Sequence, residues 1–327
     1  MSSLLIGLIA VLLASNAPAA VTNLIAPSTL VSTNAASTND PVAQELKKLM
    51  ELDDAAQAEV DGWLRENDKF TASGAGIADT EMNRRIRKRF EPVHQGYEDL
   101  IKRYPTNADT RVAFASFLHD MGDNDGQVQQ LEKARELNPK DPAIWNNLAN
   151  YYGEFSPVKK AFEFYAKAIE LDPREPVYYQ NFATTVCMFR KDAKEYYHLT
   201  EQEVFDKSLS LYSKALELDP LNFQLASDLA LTYYIIKPLR TEDALRAWTN
   251  ALSIAHNEVE REGVNIHLAR LKASVGRFSE ARAHLRGVTN AVYADLKDIG
   301  TRSIEQKEKD AKETNSPPAQ AQEPKAK

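Results

Sequence analysis

The sequence predicts an all-α fold, a solenoid built from helical hairpins that stack along the chain. Apolar residues recur at helical spacings over most of the chain after residue 40. The pattern Ala-x-Glu-Leu-Asn/Asp-Pro occurs at 134–139, 168–173 and 215–220, and its proline stops each helix from continuing. Pro105 ends a similar segment, and the intervals between successive prolines are 34, 34 and 47 residues. A 34-residue period with one insertion of 13 residues accounts for all three intervals.

The first 39 residues contain no charged side chain. An apolar run from Leu4 to Ala14 is followed by small residues up to Ala19, a pattern that resembles a signal peptide. The run is shorter than the roughly 20 residues that a membrane-spanning helix needs. We therefore expect a signal peptide over 1–19 and a disordered linker over 20–39. The mature protein would be exported, either periplasmic or secreted, and without export it would be cytoplasmic.

The composition is that of a folded protein with little affinity for polyanions. Hydrophobic residues make up 43% of the 327 residues, which is enough to bury a continuous core. The net charge of -7 disfavours nucleic acid and anionic lipid as partners, so we expect neither nucleic-acid binding nor stable membrane insertion. The single cysteine, Cys187, excludes an intramolecular disulfide, and we expect it to be a core residue.

Two long helices are predicted before the first clear repeat. Asp40 followed by Pro41 is typical of a helix start, and apolar residues at helical spacings then predict a helix over 41–67. A second helix is expected to reach Tyr104 after a cap at residue 79 or 80. Pro92 lies inside this second stretch, so we expect it to kink or divide the helix.

One period, residues 142–175, places a large aromatic residue, a leucine, a small residue and a tyrosine in its first half. Its second half carries an alanine, an aromatic residue, an alanine and a proline. This pattern resembles the tetratricopeptide repeat family. The matching residues are Trp145, Leu148, Ala149, Tyr152, Ala161, Tyr165, Ala168 and Pro173. Later copies contain Tyr179, Phe182, Ala183, Tyr212, Ala215 and Pro220, then Leu229, Ala230, Tyr233, Ala244, Trp248 and Ala251.

The resemblance implies a right-handed α-solenoid of about four to five repeats over residues 105–288, with an insertion at 190–202. The small residues let the two helices of a hairpin approach closely, and the large ones fill the space between neighbouring hairpins. Residues 40–104 are predicted to form N-terminal helices, with a degenerate repeat as the alternative. A C-terminal capping helix is expected over 289–312, followed by a disordered tail over 313–327.

The resemblance also implies a concave face that is lined by the first helix of each hairpin and can hold a peptide. Side-chain amides on such a face can donate to and accept from an extended peptide backbone. The alternative is that these polar residues only satisfy local groups. The candidate groove residues are Ser116, His119, Asn146, Asn150, Gln180, Thr184, Ser227 and Tyr234.

The insertion at 190–202 is a second candidate contact surface, because additional loops of a solenoid often lie on a binding face. Its candidate contact residues are Tyr196, Tyr197 and His198. The alternative is that both tyrosines pack back onto the following helix. Thr200 with Glu203 three residues later predicts a capping box at the start of that helix.

No motif for catalysis, metal binding or cofactor binding is evident. The six histidines lie in different repeats without metal-ligand spacing, and no glycine-rich phosphate loop is present. Asp53 and Asp54 are interpreted as surface carboxylates early in a helix, where the helix dipole favours them. We therefore expect no catalytic residue, no metal site and no cofactor.

The sequence thus predicts a non-catalytic scaffold or adaptor that binds a protein or peptide through the concave groove and the insertion. The alternative is a structural protein that assembles into homo-oligomers through its terminal helices. An enzyme is the third hypothesis, because a solenoid can assemble a site from distant repeats.

Overall fold

The computed structural model describes residues 40–72 and 76–314. The described residues form α-helices, two short 3-10 helices over Tyr233–Ile235 and Ala291–Tyr293, and no β-strand. The α-helices are α1 Pro41–Ala72, α2 Asp79–Arg103, α3 Ala108–Asp120, α4 Asn124–Leu137, α5 Pro142–Phe155, α6 Val158–Leu171, α7 Pro176–Met188, α8 Arg190–Tyr197, α9 Glu201–Leu218, α10 Phe223–Thr232, α11 Thr241–Ile254, α12 Glu258–Ser274, α13 Phe278–Arg286 and α14 Ala294–Thr314. This succession of paired helices confirms the predicted all-α fold.

The chain separates into two compact units, with a boundary between Asn181 and Phe182 inside α7. We call them the N-terminal unit, described over 40–72 and 76–181, and the C-terminal unit, described over 182–314. Residues 1–39, which hold the predicted signal peptide and linker, lie outside the described residues. No helix in the described part of the chain is both long and apolar enough to cross a membrane.

The repeated Asn/Asp-Pro pattern ends three helices in the same way. The backbone N–H groups of Asn138, Asp172 and Asp219 each donate to the carbonyl of the alanine four residues earlier, at 2.8 to 2.9 Å. The proline that follows has no N–H group and disfavours a helical conformation in the residue before it, so the helix stops there. This shared ending explains why the period was visible in the sequence.

Side-chain caps start the helices that follow. Asp141 accepts a hydrogen bond from the Ala143 N–H at 2.9 Å, and Asn107 and Asn222 cap α3 and α10 in the same manner. The predicted capping box before α9 is confirmed, because Thr200 and Glu203 hydrogen-bond reciprocally. Each cap satisfies backbone donors that the first turn of a helix leaves without partners.

The two N-terminal helices differ from the prediction in their ends and in their continuity. Helix α1 continues to Ala72 rather than ending at 67, and the residue before α2 is Ala78, which makes no side-chain cap hydrogen bond. Helix α2 runs unbroken through Pro92, so the expected division at this proline is wrong, and the alternative of a kink stays a prediction. Phe90 and Val93 on either side of Pro92 are buried against α1 and α3, and this packing holds the helix together across the missing hydrogen bond.

The core of the N-terminal unit includes a group of aromatic rings at the meeting of α2 and α3. The Tyr97 ring stacks on Phe114 with centroids 5.3 Å apart, and Phe90 meets Phe117 edge-on at 5.7 Å. All four side chains are at most 5% exposed. Burial of this size contributes on the order of 2 kcal/mol for each ring, and it fixes α3 against α2.

The insertion is helical in the structure. Residues Arg190–Tyr197 form α8, and His198 takes a left-handed conformation with φ of 55° before the capping box of α9. Within the C-terminal unit, Ala193 is the fully buried residue of α8. The longer interval between Pro173 and Pro220 therefore accommodates a short additional helix.

The C-terminal helix begins and ends later than predicted. The segment expected as one helix over 289–312 starts with the short helix Ala291–Tyr293, and α14 then extends to Thr314. Residues 313 and 314 of the predicted tail are therefore helical, and the rest of that tail lies outside the described residues. Gly300 of α14 lies close to Leu285 of α13.

Glu262 of α12 holds the segment between α13 and α14. Its carboxylate accepts hydrogen bonds from the N–H of Thr289, the hydroxyl of Thr289 and the N–H of Asn290, at 2.8 to 3.0 Å. Burial alone would raise the pKa of Glu262, but these hydrogen bonds outweigh it and the pKa is lowered. The ionised side chain is only 4% exposed, so its interactions anchor the last helix to the repeat before it.

Replacement of Glu262 with glutamine is expected to lower the free energy of unfolding by about 1 to 3 kcal/mol, because an amide nitrogen cannot accept these bonds. Urea denaturation followed by far-UV circular dichroism measures the change. The control is Glu258→Gln, which removes one exposed ion pair with Arg261 and should change stability by less than about 1 kcal/mol. Equal losses in the two variants would contradict the role given to Glu262.

Candidate functional site

A cleft in the N-terminal unit lies between α1, α2, α3 and the start of α5. Its volume is about 150 Å³. We call it the α3 cleft, because helix α3 supplies five of its thirteen lining residues, as many as α1, and lines it along its whole length. The lining residues are Leu46, Met50, Asp53, Asp54, Gln57, Tyr97, Asp109, Val112, Ala113, Ser116, Asp120, Asp141 and Ala143.

Helix α3 divides its side chains between the core and this cleft. Phe114, Phe117 and Leu118 face the core, whereas Asp109, Val112, Ala113, Ser116 and Asp120 line the cleft. Residues spaced by three or four positions share one face of a helix. The cleft face of α3 is therefore continuous from its first turn to its last.

The polar part of the lining is dominated by carboxylates. Five of the thirteen lining residues are aspartates and none is lysine, arginine or histidine. They come from α1, from both ends of α3 and from the cap of α5. Because like charges are brought together here without a cation in the lining, the cleft has a negative potential.

Asp53 is the most perturbed carboxylate of the cleft. It accepts a hydrogen bond from the Tyr97 hydroxyl at 3.2 Å. The pKa of Asp53 is raised to about 6, chiefly because of burial; the hydrogen bonds from Tyr97 and Gln57 oppose this rise, and the charges of Asp120 and Asp54 add to it. The interpretation of Asp53 as a surface residue early in a helix was wrong, since it lies in the middle of α1 and is half-buried.

The two carboxylates at the ends of α3 are also perturbed. The pKa of Asp109 is raised by burial and by the charges of Asp141 and Asp40. Burial likewise raises the pKa of Asp120, against a smaller opposing effect of His119. A nearby positive charge would stabilise the ionised form of both aspartates.

Among the predicted groove residues of the N-terminal unit, Ser116 lines the α3 cleft, and half-buried His119 does not. Asn146 has no exposed surface, and its Oδ1 accepts from Asn181 Nδ2 at 3.1 Å. The prediction that Asn146 contacts a peptide is therefore wrong for this structure.

Asn150 is half-buried and accepts a hydrogen bond from the Tyr165 hydroxyl at 2.6 Å, which fits the alternative that these polar residues only satisfy local groups. Gln180 is half-buried, and its contact with a peptide stays a prediction.

In the C-terminal unit, Ser227 is 1% exposed and cannot contact a partner. Tyr234 does not lie on an α-helix as the register predicted, because α10 ends at Thr232 and Tyr234 falls in the 3-10 turn. Its hydroxyl lies 3.0 Å from Nδ1 of buried His267.

Thr184 of α7 shares a hydrogen bond with the Tyr212 hydroxyl at 2.7 Å. A contact role for Thr184 stays a prediction.

The aromatic pair of the insertion packs partly on its own unit. The rings of Tyr196 and Tyr197 meet edge-on with centroids 4.8 Å apart, and Lys207 of α9 places its Nζ 4.2 Å from the Tyr197 ring. Both tyrosines are half-buried, whereas His198 is exposed. The contact of Tyr197 with α9 agrees with the alternative hypothesis, in which the tyrosines pack back onto the following helix. Binding of a partner by Tyr196, Tyr197 and His198 stays a prediction.

No curated protein sequence matches the chain significantly. A family model described as "Tetratricopeptide repeat" matches residues 142–175, which is the α5–α6 hairpin and the period that carries the full pattern. The chain therefore contains a tetratricopeptide repeat over residues 142–175.

Three solved structures are similar to this chain at low sequence identity. PilW, described as a widely conserved type IV pilus biogenesis factor, is 13% identical over 73% of this chain and 97% of its own, with a TM-score of 0.50. Pseudomonas aeruginosa pilF is 14% identical over 79% and 99%, with a TM-score of 0.48. YrrB, described as a TPR protein with an unusual peptide-binding site, is 13% identical over 64% and 97%, with a TM-score of 0.46.

The predicted core residues of the repeats differ in exposure. Most of the predicted core residues are at most 9% exposed, among them all the alanines, Leu148, Tyr152, Tyr165, Tyr179, Phe182, Tyr212 and Trp248. Trp145, Leu229 and Tyr233 are half-buried, and Pro173 and Pro220 are exposed beside the helix ends. Trp145 donates from Nε1 to the Pro139 carbonyl at 2.8 Å and lies at the edge of its hairpin rather than in the middle of a core.

Sequence analysis missed the cleft residues on α1. The repeat pattern places candidate residues only on first helices of recognised repeats, and α1 precedes them. An available signal was the run Leu46, Met50, Asp53, Asp54 and Gln57, whose spacings of three and four place it on one helix face. That face is apolar at one end and acidic at the other.

Proposed function

We propose that this tetratricopeptide-repeat protein is a non-catalytic scaffold that binds a segment of a protein or peptide partner in the α3 cleft. The observation that carries the proposal is the open cleft face of α3, which is the first helix of its hairpin. This face combines apolar and polar side chains from Asp109 to Asp120. A groove with an apolar floor and a polar rim suits an extended peptide, because the floor takes side chains and the rim fixes their direction.

The chemistry of the cleft supports binding rather than catalysis. The titratable side chains of its lining are five aspartates and Tyr97, and no histidine, lysine or cysteine is among the lining residues. Asp53, whose pKa is raised, already shares its oxygens with Tyr97 and Gln57. In the described part of the chain, no three or more histidine, cysteine, aspartate or glutamate side chains are arranged to hold a metal ion. General acid catalysis would need a partner group that the lining does not supply.

The cleft can be tested with displayed random peptides selected on the full chain. Ser116 lies on the cleft face of α3, and Ser116→Tyr would fill the space above it without a change of charge. The control is Gln129→Tyr on α4, where the side chain is exposed outside the cleft. We expect the selected peptides to bind the parent chain and Gln129→Tyr equally and to bind Ser116→Tyr at least about tenfold more weakly. Peptides that bind all three equally would contradict the proposed site.

Self-assembly is the second candidate function, favoured by exposed apolar residues on α1. Leu52, Leu64 and Phe70 are 41%, 41% and 57% exposed, and apolar side chains of this kind can mark a contact surface between copies. A mass that rises with protein concentration in analytical ultracentrifugation, together with failure to select any peptide at the cleft, would favour this second function over the first.

A further inference from the structure

We propose that the occupant of the α3 cleft is a basic, extended segment of a partner protein, with lysine or arginine residues on either side of an apolar side chain. The proposal rests on the proposed function, because it assigns a chemistry to the partner of the same cleft. It adds what the general scaffold role leaves open, namely which sequences the cleft selects.

The floor of the cleft calls for an apolar side chain. Leu46 and Met50 approach from α1, Val112 and Ala113 from α3, and Ala143 from the start of α5. Met50 is 43% exposed, so a large apolar side chain faces solvent inside a concavity. Covering it with a leucine, methionine or valine of a partner would remove apolar surface from water at both molecules.

The rim of the cleft calls for positive charge. Asp54 from α1, Asp109 and Asp120 from α3 and Asp141 from the α5 cap surround the floor, and the lining has no cation. Burial raises the pKa of Asp109 and that of Asp120, which shows that the surroundings disfavour their ionised forms. An ammonium or guanidinium group would offset this effect, because opposite charges at short range stabilise each other.

The spacing of the carboxylates favours an extended segment over a single ion. In the described residues, no three acidic side chains converge closely enough to hold a metal ion together. Asp109 and Asp120 lie in the first and last turns of α3, and eleven residues of helix place them about 16 Å apart along its axis. An extended chain covers that distance in about five residues. Two basic residues four or five positions apart would therefore reach both ends of the rim.

The test determines which peptides the cleft selects and which of its carboxylates are needed for their binding. The full chain is used to select displayed random nonapeptides. The test variant is Asp54→Asn, Asp109→Asn and Asp120→Asn together. It keeps Asp53 and Asp141, which hydrogen-bond within the protein. The control variant changes three exposed carboxylates of the same unit outside the cleft, Asp125→Asn, Glu154→Gln and Glu163→Gln, so the net charge changes equally.

We expect the selected peptides to be enriched in lysine and arginine four or five positions apart around an apolar residue. Their Kd should rise at least about tenfold in the test variant and less than about threefold in the control variant. Affinity should also fall with added salt, because the contacts are between charges at a surface.

Three results would overturn the inference. Peptides that are blocked by Ser116→Tyr but lack basic enrichment, or that ignore the test variant, would refute it and leave the proposed function intact. Peptides that ignore Ser116→Tyr would refute the cleft as a binding site, and the inference with it. Spermidine binding as tightly as the selected peptides would show that the cleft takes small polycations rather than a protein segment.

Discussion

Replacement of Trp248 with alanine is expected to lower the free energy of unfolding of the C-terminal unit by about 3 to 5 kcal/mol, as large truncations of buried aromatic residues do. The Trp248 side chain on α11 has no exposed surface. Its ring stacks on His267 of α12 with centroids 4.0 Å apart and planes 6° apart. Alanine would leave a cavity between helices α10, α11 and α12, and the neighbouring side chains can fill it only in part.

Trp145→Ala is the matched comparison, because both tryptophans belong to the repeat pattern. Trp145 is half-buried, meets Phe164 edge-on at 5.2 Å and lies under Arg135. Truncation there removes less buried area and opens toward solvent rather than into a closed cavity. We expect a loss of about 1 to 2 kcal/mol. Urea denaturation followed by far-UV circular dichroism measures both variants, and equal losses would contradict this assignment of core and edge.

The contrast between the two tryptophans shows where sequence analysis of this chain was sufficient. The period, the helix ends at Asn138, Asp172 and Asp219, and the aromatic character of the core positions all follow from local chemistry. Whether an aromatic residue is buried depends on which side chains of the neighbouring hairpin cover it, and the sequence of one repeat does not determine this. Trp145 was therefore expected in the core and lies at its edge.

The candidate site was less predictable for the same reason. The pattern indicated that first helices form the binding face, and Ser116 does line the cleft. It also selected Asn146, which turned out to be fully buried and hydrogen-bonded to Asn181. Sequence spacing identifies which residues share a helix face, but the depth of each residue depends on how closely the next helix packs. Two of the five aspartates of the cleft, Asp53 and Asp54, come from α1, which no repeat pattern covers.

His267 is expected to make the C-terminal unit sensitive to acid. Its side chain has no exposed surface and lies between Trp248 and Tyr234, with Nδ1 3.0 Å from the Tyr234 hydroxyl. No hydrogen-bond partner of Nε2 is present in the described residues. Burial, with a smaller contribution from the charge of Arg270, lowers the pKa of His267 to about 3.

The direction of the pH effect follows from proton binding. In the unfolded chain a histidine has a pKa near 6.5, so between about pH 6.5 and pH 3 the unfolded state binds a proton that the folded state does not. Protonation then favours unfolding, and stability falls as the pH falls, by about 1.4 kcal/mol per pH unit for one such group. At pH 5 the C-terminal unit should have lost about 2 kcal/mol from His267 alone relative to pH 7.5.

His267→Phe is expected to remove this part of the pH dependence while keeping a ring against Trp248. At pH 7.5 it should also lower stability by about 1 to 3 kcal/mol, because the Tyr234 hydroxyl loses its partner in a buried site. Trp248 is the one tryptophan between Phe182 and Lys327. In a background with Trp63→Phe and Trp145→Phe, its fluorescence therefore reports on the C-terminal unit.

The comparison that decides the role of His267 is the slope of the free energy of unfolding between pH 7.5 and pH 5. Other carboxyl and imidazole groups contribute to that slope in every variant, so His198→Asn, which changes an exposed histidine, is the control and should keep the parent slope. His267→Phe should be flatter by about 2 kcal/mol over this range. If the slopes of His267→Phe and the parent were equal, the folded protein would have to accommodate a proton on His267. The stack between Trp248 and Tyr234 would then have to open to water at mildly acidic pH.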